Sequence, residues 1–167
     1  DEEYSSSYIR KMHQILNQAF TQAVKWKKIK YNPVTDSDPP AVKKEEMKIW
    51  SYDEINTFLE HCEGERHYLT FFLAIYTGMR RGEILGVKWS DIDFLNKTIH
   101  VQRSLAYISK KGYILTSTKT RNSNRIVPIS EMVVKVLMNY RTQQEMHKAQ
   151  LGELYQDEDF VICTETG

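Results

Sequence analysis

A chain of 167 residues, 41% hydrophobic and 27% charged, has the composition of an ordinary globular protein and can bury a core with room for one domain and an appendage. A net charge of +1 gives it no overall basic character, and its two cysteines, Cys62 and Cys163, lie too far apart for metal-ligand spacing and argue against a disulfide framework. No apolar run approaches the roughly 20 residues of a membrane span, and Asp1-Glu2-Glu3 is the wrong opening for a signal peptide, so a soluble cytoplasmic protein without membrane association is expected.

From Ser6 or Ser7 to about Lys28, the residues Ile9, Met12, Leu16, Ala19, Phe20 and Ala23 recur at helical spacing and predict one long amphipathic helix. Such a stripe needs a partner, either a preceding helical domain, the following domain or a neighbouring molecule. Tyr31-Asn32-Pro33 is expected to end the helix, because proline disfavours helix in the residue before it. Residues 35–49, with Asp36, Asp38, Pro39 and Pro40, have the composition of a linker.

Ser51 and Glu54 then form a capping-box pair, with Trp50 and Ile55 as its hydrophobic staple, and predict a helix from Tyr52 to about Cys62. The run Tyr68 to Tyr76 is apolar nearly all round, as in a helix at the centre of a bundle. Gly78 suits the left-handed conformation that closes it, so a short helix starts at a new angle near Arg80.

Asn96-Lys97 turns the chain into a strand from Thr98 to Arg103, with Ile99 and Val101 on its buried face. Lys110-Lys111-Gly112 reads as a tight turn into Tyr113-Ile114-Leu115, and Arg125-Ile126-Val127, ended by Pro128, is a third strand. Ser130 and Glu131 start a helix to about Gln150, with Val133, Val136, Leu137 and Tyr140 on its apolar side, and Phe160 lies in a further strand. Trp50 and Trp89 are placed in the core. The expected class is α+β, mainly helical with one small antiparallel sheet.

Basic residues gather locally: Lys25, Lys27, Lys28 and Lys30 around Trp26, Lys43 and Lys44 in the linker, and Lys110, Lys111, Lys119, Arg121 and Arg125 around the hairpin. Phosphate neutralisation depends on such a local face, although short basic runs taken alone are usually solvated surface.

Thr77-Gly78-Met79-Arg80-Arg81-Gly82-Glu83-Ile84 resembles the first arginine box of the tyrosine recombinases, the phage and transposon integrase family, with its pattern Thr-Gly-x-Arg-x-x-Glu-Leu/Ile. Thr118-Lys119-Thr120, followed by Arg125-Ile126-Val127-Pro128-Ile129, resembles the family's lysine-bearing hairpin, and Asn32-Pro33 looks like its handover between domains. The resemblance implies that residues 1–34 end a core-binding domain, that 35–49 link, and that 50–167 form the N-terminal part of a catalytic domain incomplete at its C-terminus. No His-x-x-Arg follows Lys119, since His147 precedes Lys148, Ala149 and Gln150. Tyr155 precedes the Phe160 strand and is rejected as the family's nucleophile, so the chain is expected to be a fragment with half an active site.

Cleavage through a covalent tyrosine link needs charge stabilisation of a phosphorane-like transition state and an acid for the leaving 5′ oxygen. By resemblance Arg80 takes the first role and Lys119 the second. Glu83 supports Arg80 from three positions along the same helical face, and Lys110, Lys111, Arg121 and Arg125 contact DNA. No metal and no cofactor is implied. The partner is double-stranded DNA at attachment sites, handled by a homo-tetramer of the complete protein. Without the motifs, Arg80 and Glu83 are a surface ion pair worth under about 1 kcal/mol. A noncatalytic DNA-binding protein or decayed integrase is the alternative, and a type IB topoisomerase shares the chemistry.

Overall fold

The computed structural model describes residues 4–41, 46–117 and 124–167, and the chain divides into two compact units, Asp1–Ile49 and Trp50–Gly167. In the first unit, helix α1 (Ser6–Lys25) is capped by Ser5, whose hydroxyl accepts from the Tyr8 N–H at 3.3 Å. It stops short of the expected Lys28. The Lys27 N–H donates to the Val24 carbonyl at 2.9 Å and the Lys28 N–H to that of Ala23 at 3.0 Å. This paired closure puts Lys27 at φ 56° and ends the helix before the proline is reached.

Asn32-Pro33 instead folds the returning chain onto α1. The buried Asn32 amide donates to Asn17 Oδ1 at 2.7 Å and Thr21 Oγ1 at 3.1 Å, and its oxygen accepts from the Val34 N–H at 2.9 Å. The last bond opens a 3₁₀ turn over Pro33–Asp36. No residue of α1 is buried, and Ile9, Met12 and Leu16 are exposed.

The second unit opens with α2 (Tyr52–Cys62), where the expected capping box is present. The Ser51 N–H donates to Glu54 Oε2 at 2.7 Å, and the Glu54 N–H donates to the Ser51 hydroxyl at 3.3 Å. Trp50, expected in the core, is 53% exposed: it stands before the first residue of the helix, at the margin of the core, its ring 5.2 Å from that of the half-buried Phe58. Helix α3 (Tyr68–Thr77) buries Leu69, Phe72 and Leu73 but leaves Phe71 and Tyr76 exposed, so it is covered on one side rather than all round. Gly78 closes it at φ 62°, and the single-turn helix α4 (Arg81–Leu85) follows.

Two sheets form where one was expected. Strands β1 (Ile92–Asp93), β2 (Thr98–Val101) and β5 (Arg125–Pro128) make an antiparallel sheet in the order β1-β2-β5, and β3 (Arg103–Ile108) pairs with β4 (Gly112–Ser117) as a separate hairpin. Gln102 interrupts the run between β2 and β3, so the two ladders do not continue into each other. The register sets Ile92 opposite Ile99 and Ile99 opposite Val127, a buried row with period-two alternation against exposed His100 and Ile126. It joins one core with Leu73, Ile84 and the inner face of α5 (Glu131–Leu151), namely Val133, Val134 and Leu137. Trp89 belongs to this core as expected. The Phe160 strand shrinks to one bridge with Lys88, supported by Trp89 N–H to Asp159 carbonyl at 2.8 Å and Val161 N–H to Val87 carbonyl at 3.0 Å.

Helix α4 rests directly on β3, and two glycines permit the approach. A Cβ at Gly82 would stand 2.4 Å from Ser104 Oγ and 2.8 Å from the Leu105 carbonyl oxygen, and one at Gly86 would stand 3.3 Å from the Arg103 carbonyl oxygen. Gly82→Ala is therefore expected to destabilise the protein by about 1–3 kcal/mol in chemical denaturation. Adding Ser104→Ala should recover only part of the loss, since the backbone oxygen remains. Wild-type stability of Gly82→Ala would contradict this packing.

Candidate active site

The arginine box is built from a helix start that breaks a local rule. Arg80 occupies the N-cap of α4, with φ −69° and ψ 150°. A cation there faces the positive end of the helix dipole and offers no acceptor to the open N–H groups. Glu83, three residues on, compensates: its Oε2 accepts the Arg80 backbone N–H at 2.9 Å, and its Oε1 accepts Arg80 Nη1 at 3.1 Å. The Glu83 side chain is 5% exposed and that of Arg80 78%. Among the described residues, the guanidinium of Arg80 has Glu83 as its one partner, so an outward-facing cation is held from behind by a buried carboxylate.

A second arginine completes the arrangement. Arg125, the first residue of β5, donates Nη1 to Glu83 Oε1 at 3.0 Å and Nη2 to Oε2 at 2.9 Å, a bidentate fork. Its side chain is 33% exposed. The sequence reading placed Arg125 against DNA phosphate, whereas the structure turns its fork onto Glu83. Arg125 holds the Glu83 carboxyl down at about 2, helped by the two Arg80 donors and opposed by desolvation.

Of the other expected site residues, Lys110 and Lys111 lie at the exposed β3–β4 turn, with Lys110 at φ 69°. They sit beside an exposed cross-strand pair, Tyr107 and Tyr113, whose ring centroids are 5.3 Å apart. Lys119 and Arg121 lie outside the described residues. Tyr155 donates towards or accepts from Cys163 Sγ at 3.3 Å, and burial first, then that thiol, push its phenol up to about 12. Among the described residues no group of three His, Cys, Asp or Glu side chains gathers as a metal site would need, and no helix is long and apolar enough to cross a membrane.

Sequence reasoning missed a second buried charge. Asp91, 2% exposed, accepts the Lys88 backbone N–H at 2.8 Å and Gln102 Nε2 at 2.6 Å, and pairs with Arg103. It ties the turn after α4 to the junction of β2 and β3. The only trace in the sequence is the spacing of Lys88 and Asp91, which allows a carboxylate to reach back to a helix-start N–H.

Residues 48–165 match the Phage integrase family. A tyrosine recombinase XerC-like protein of Caldanaerobacter subterraneus subsp. tengcongensis is 33% identical over 98% of this chain and 46% of its own length. The ICEBs1 integrase of Bacillus subtilis is 28% identical over 88% of this chain and 40% of its own. Among solved structures, the Tn1549 transposon integrase in complex with transposon right end DNA superposes with a TM-score of 0.80 at 21% identity, over 99% of this chain and 54% of that one. The chain belongs to the phage integrase family of tyrosine recombinases and has its fold, and it spans less than half the length of these two curated relatives.

Glu83 generates a pH prediction. A carboxyl whose folded value, about 2, lies below the roughly 4.3 of an unfolded glutamate contributes its full stability above 4.3, and that contribution drains as pH falls towards 2. Glu83→Gln should lower stability near neutrality by about 2–3 kcal/mol, less than for a fully buried pair because Arg125 is part-exposed. The gap between wild type and variant should narrow on acidification. A gap constant from pH 7 to 2.5 in thermal melts would contradict it.

Proposed function

We propose that this chain is part of a site-specific recombinase of a phage or other mobile element, which cuts and rejoins double-stranded DNA through a 3′-phosphotyrosine intermediate. The observation that carries the reading is the pairing of an exposed Arg80 with a buried Glu83. A guanidinium fixed from behind keeps donors for an anion in front, and two hydrogen bonds to nonbridging oxygens suit a scissile phosphate whose charge grows in the transition state. Glu83 serves as support, because a carboxylate directed at the phosphate would repel it.

In this reading a tyrosine releases its phenolic proton to solvent as its oxygen bonds to phosphorus, the bond from phosphorus to the 5′ oxygen breaks, and Lys119 gives that departing oxygen its proton. Lys110, Lys111 and Arg121 add contacts to the DNA backbone, a term that weakens as salt rises. The transposon right end DNA in the solved complex of the Tn1549 integrase supports DNA as the partner, and the complete protein is proposed to act on duplex attachment sites as a homo-tetramer in the cytoplasm. Metal and nucleotide cofactors have no part in the proposed steps.

In protein made from the complete native reading frame, Arg80→Ala should lower strand cleavage by about 10²–10³-fold with duplex binding retained. Loss of neither would favour a noncatalytic DNA-binding role. The 167 residues alone should give no covalent adduct with a nicked attachment-site duplex on a denaturing gel. An adduct would overturn the rejection of Tyr155, or show that another of the ten tyrosines of this chain is the nucleophile.

A further inference from the structure

We propose that Arg125 is a positioning residue for Arg80, acting through Glu83 instead of on DNA; this rests on the reading of Arg80 as the phosphate-binding arginine. Each Glu83 oxygen serves both arginines. Oε1 accepts Arg125 Nη1 at 3.0 Å and Arg80 Nη1 at 3.1 Å, while Oε2 accepts Arg125 Nη2 and the Arg80 backbone N–H, both at 2.9 Å. A carboxylate held by one donor can still rotate about its terminal bond. A fork gripping both oxygens fixes its plane, and with it the point from which Arg80 is held.

Arg125 is itself anchored by backbone. It opens β5 opposite Val101, one step from the Ile126–His100 pair, so its fork approaches Glu83 from a strand in the core sheet rather than from a loop. Glu83 comes from α4, which Gly82 seats against the Leu105 carbonyl on β3. The contact thus joins the short helix carrying the arginine box to the three-stranded sheet. Lysine in place of Arg125 would keep the charge but supply a point contact, leaving the carboxylate plane unset. A phosphate-binding arginine would instead keep its fork available to solvent, as Arg80 largely does.

The test is a double-mutant cycle in protein made from the complete native reading frame. Single-turnover cleavage of a duplex spanning the element's junction is followed for wild type, Arg125→Gln, Glu83→Gln and the pair, with Arg80→Ala as reference. The proposal expects each single variant to lose about 10-fold or more in rate at saturating protein, and the double variant to lose no more than the worse single. The half-saturating concentration should stay within about twofold and its salt slope should not change. Arg125→Lys should fail to restore the rate, and because it keeps the charge it serves where Arg125→Gln does not fold in thermal melts. Losses that multiply in the double variant overturn the proposal, as does weaker binding with a salt slope reduced by about one phosphate. Wild-type cleavage by Arg125→Gln beside a dead Arg80→Ala overturns it alone, and wild-type cleavage by Arg80→Ala overturns it together with the reading on which it rests.

Discussion

Burying the Glu83 carboxylate constrains the whole second unit. A carboxylate withdrawn from water is strongly unfavourable unless its lone pairs are taken up by well-placed donors, and here four N–H groups from two arginines supply them. Those donors come from different places in the chain, the start of α4 and the start of β5. The short helix must therefore lie where the sheet can reach it. The same pairing explains how an arginine can stand at a helix start, where dipole and capping both disfavour it. A local rule is broken at one residue and satisfied three residues later, a pattern expected where a site matters more than the element carrying it.

The remaining architecture keeps that geometry rigid. Gly82 and Gly86, which carry no Cβ, let α4 approach the Leu105 and Arg103 carbonyls of β3 closely. Asp91, through Arg103, Gln102 and the Lys88 N–H, locks the turn after α4 to the point where β2 passes into β3. Beneath both lies the row of Ile92, Ile99 and Val127, sealed by α5. Two buried carboxylates, eight residues apart in sequence, thus flank one short segment. Each is held by an arginine from a strand, so α4 cannot tilt without breaking a charge-assisted contact.

Where signals were local, the sequence was readable. Ser51 with Glu54 defined the start of α2, Gly78 the end of α3, and Ser130 the start of α5, because a cap or a left-handed residue acts within four positions. Arg80 and Glu83 were legible as a pair for the same reason. Outcomes set by competition or distance were not. Lys27 took a left-handed conformation that glycine or asparagine usually fills, so α1 ended before the proline that had been expected to stop it. Arg125 sits 42 residues from Glu83, and nothing in its surroundings separates a fork aimed at a carboxylate from one aimed at phosphate. The split into two sheets depends on Gln102, a residue unremarkable by propensity that lies where the chain turns from one ladder to the next.

The most direct test is a structure of the protein from the complete native reading frame bound to duplex DNA with an intact scissile phosphate. The account predicts Arg80 within about 3 Å of a nonbridging oxygen, with Glu83 behind it still gripped by both Arg125 nitrogens. A scissile phosphate seated away from Arg80, or Glu83 released from Arg125 while Arg125 turns to the DNA, would contradict it.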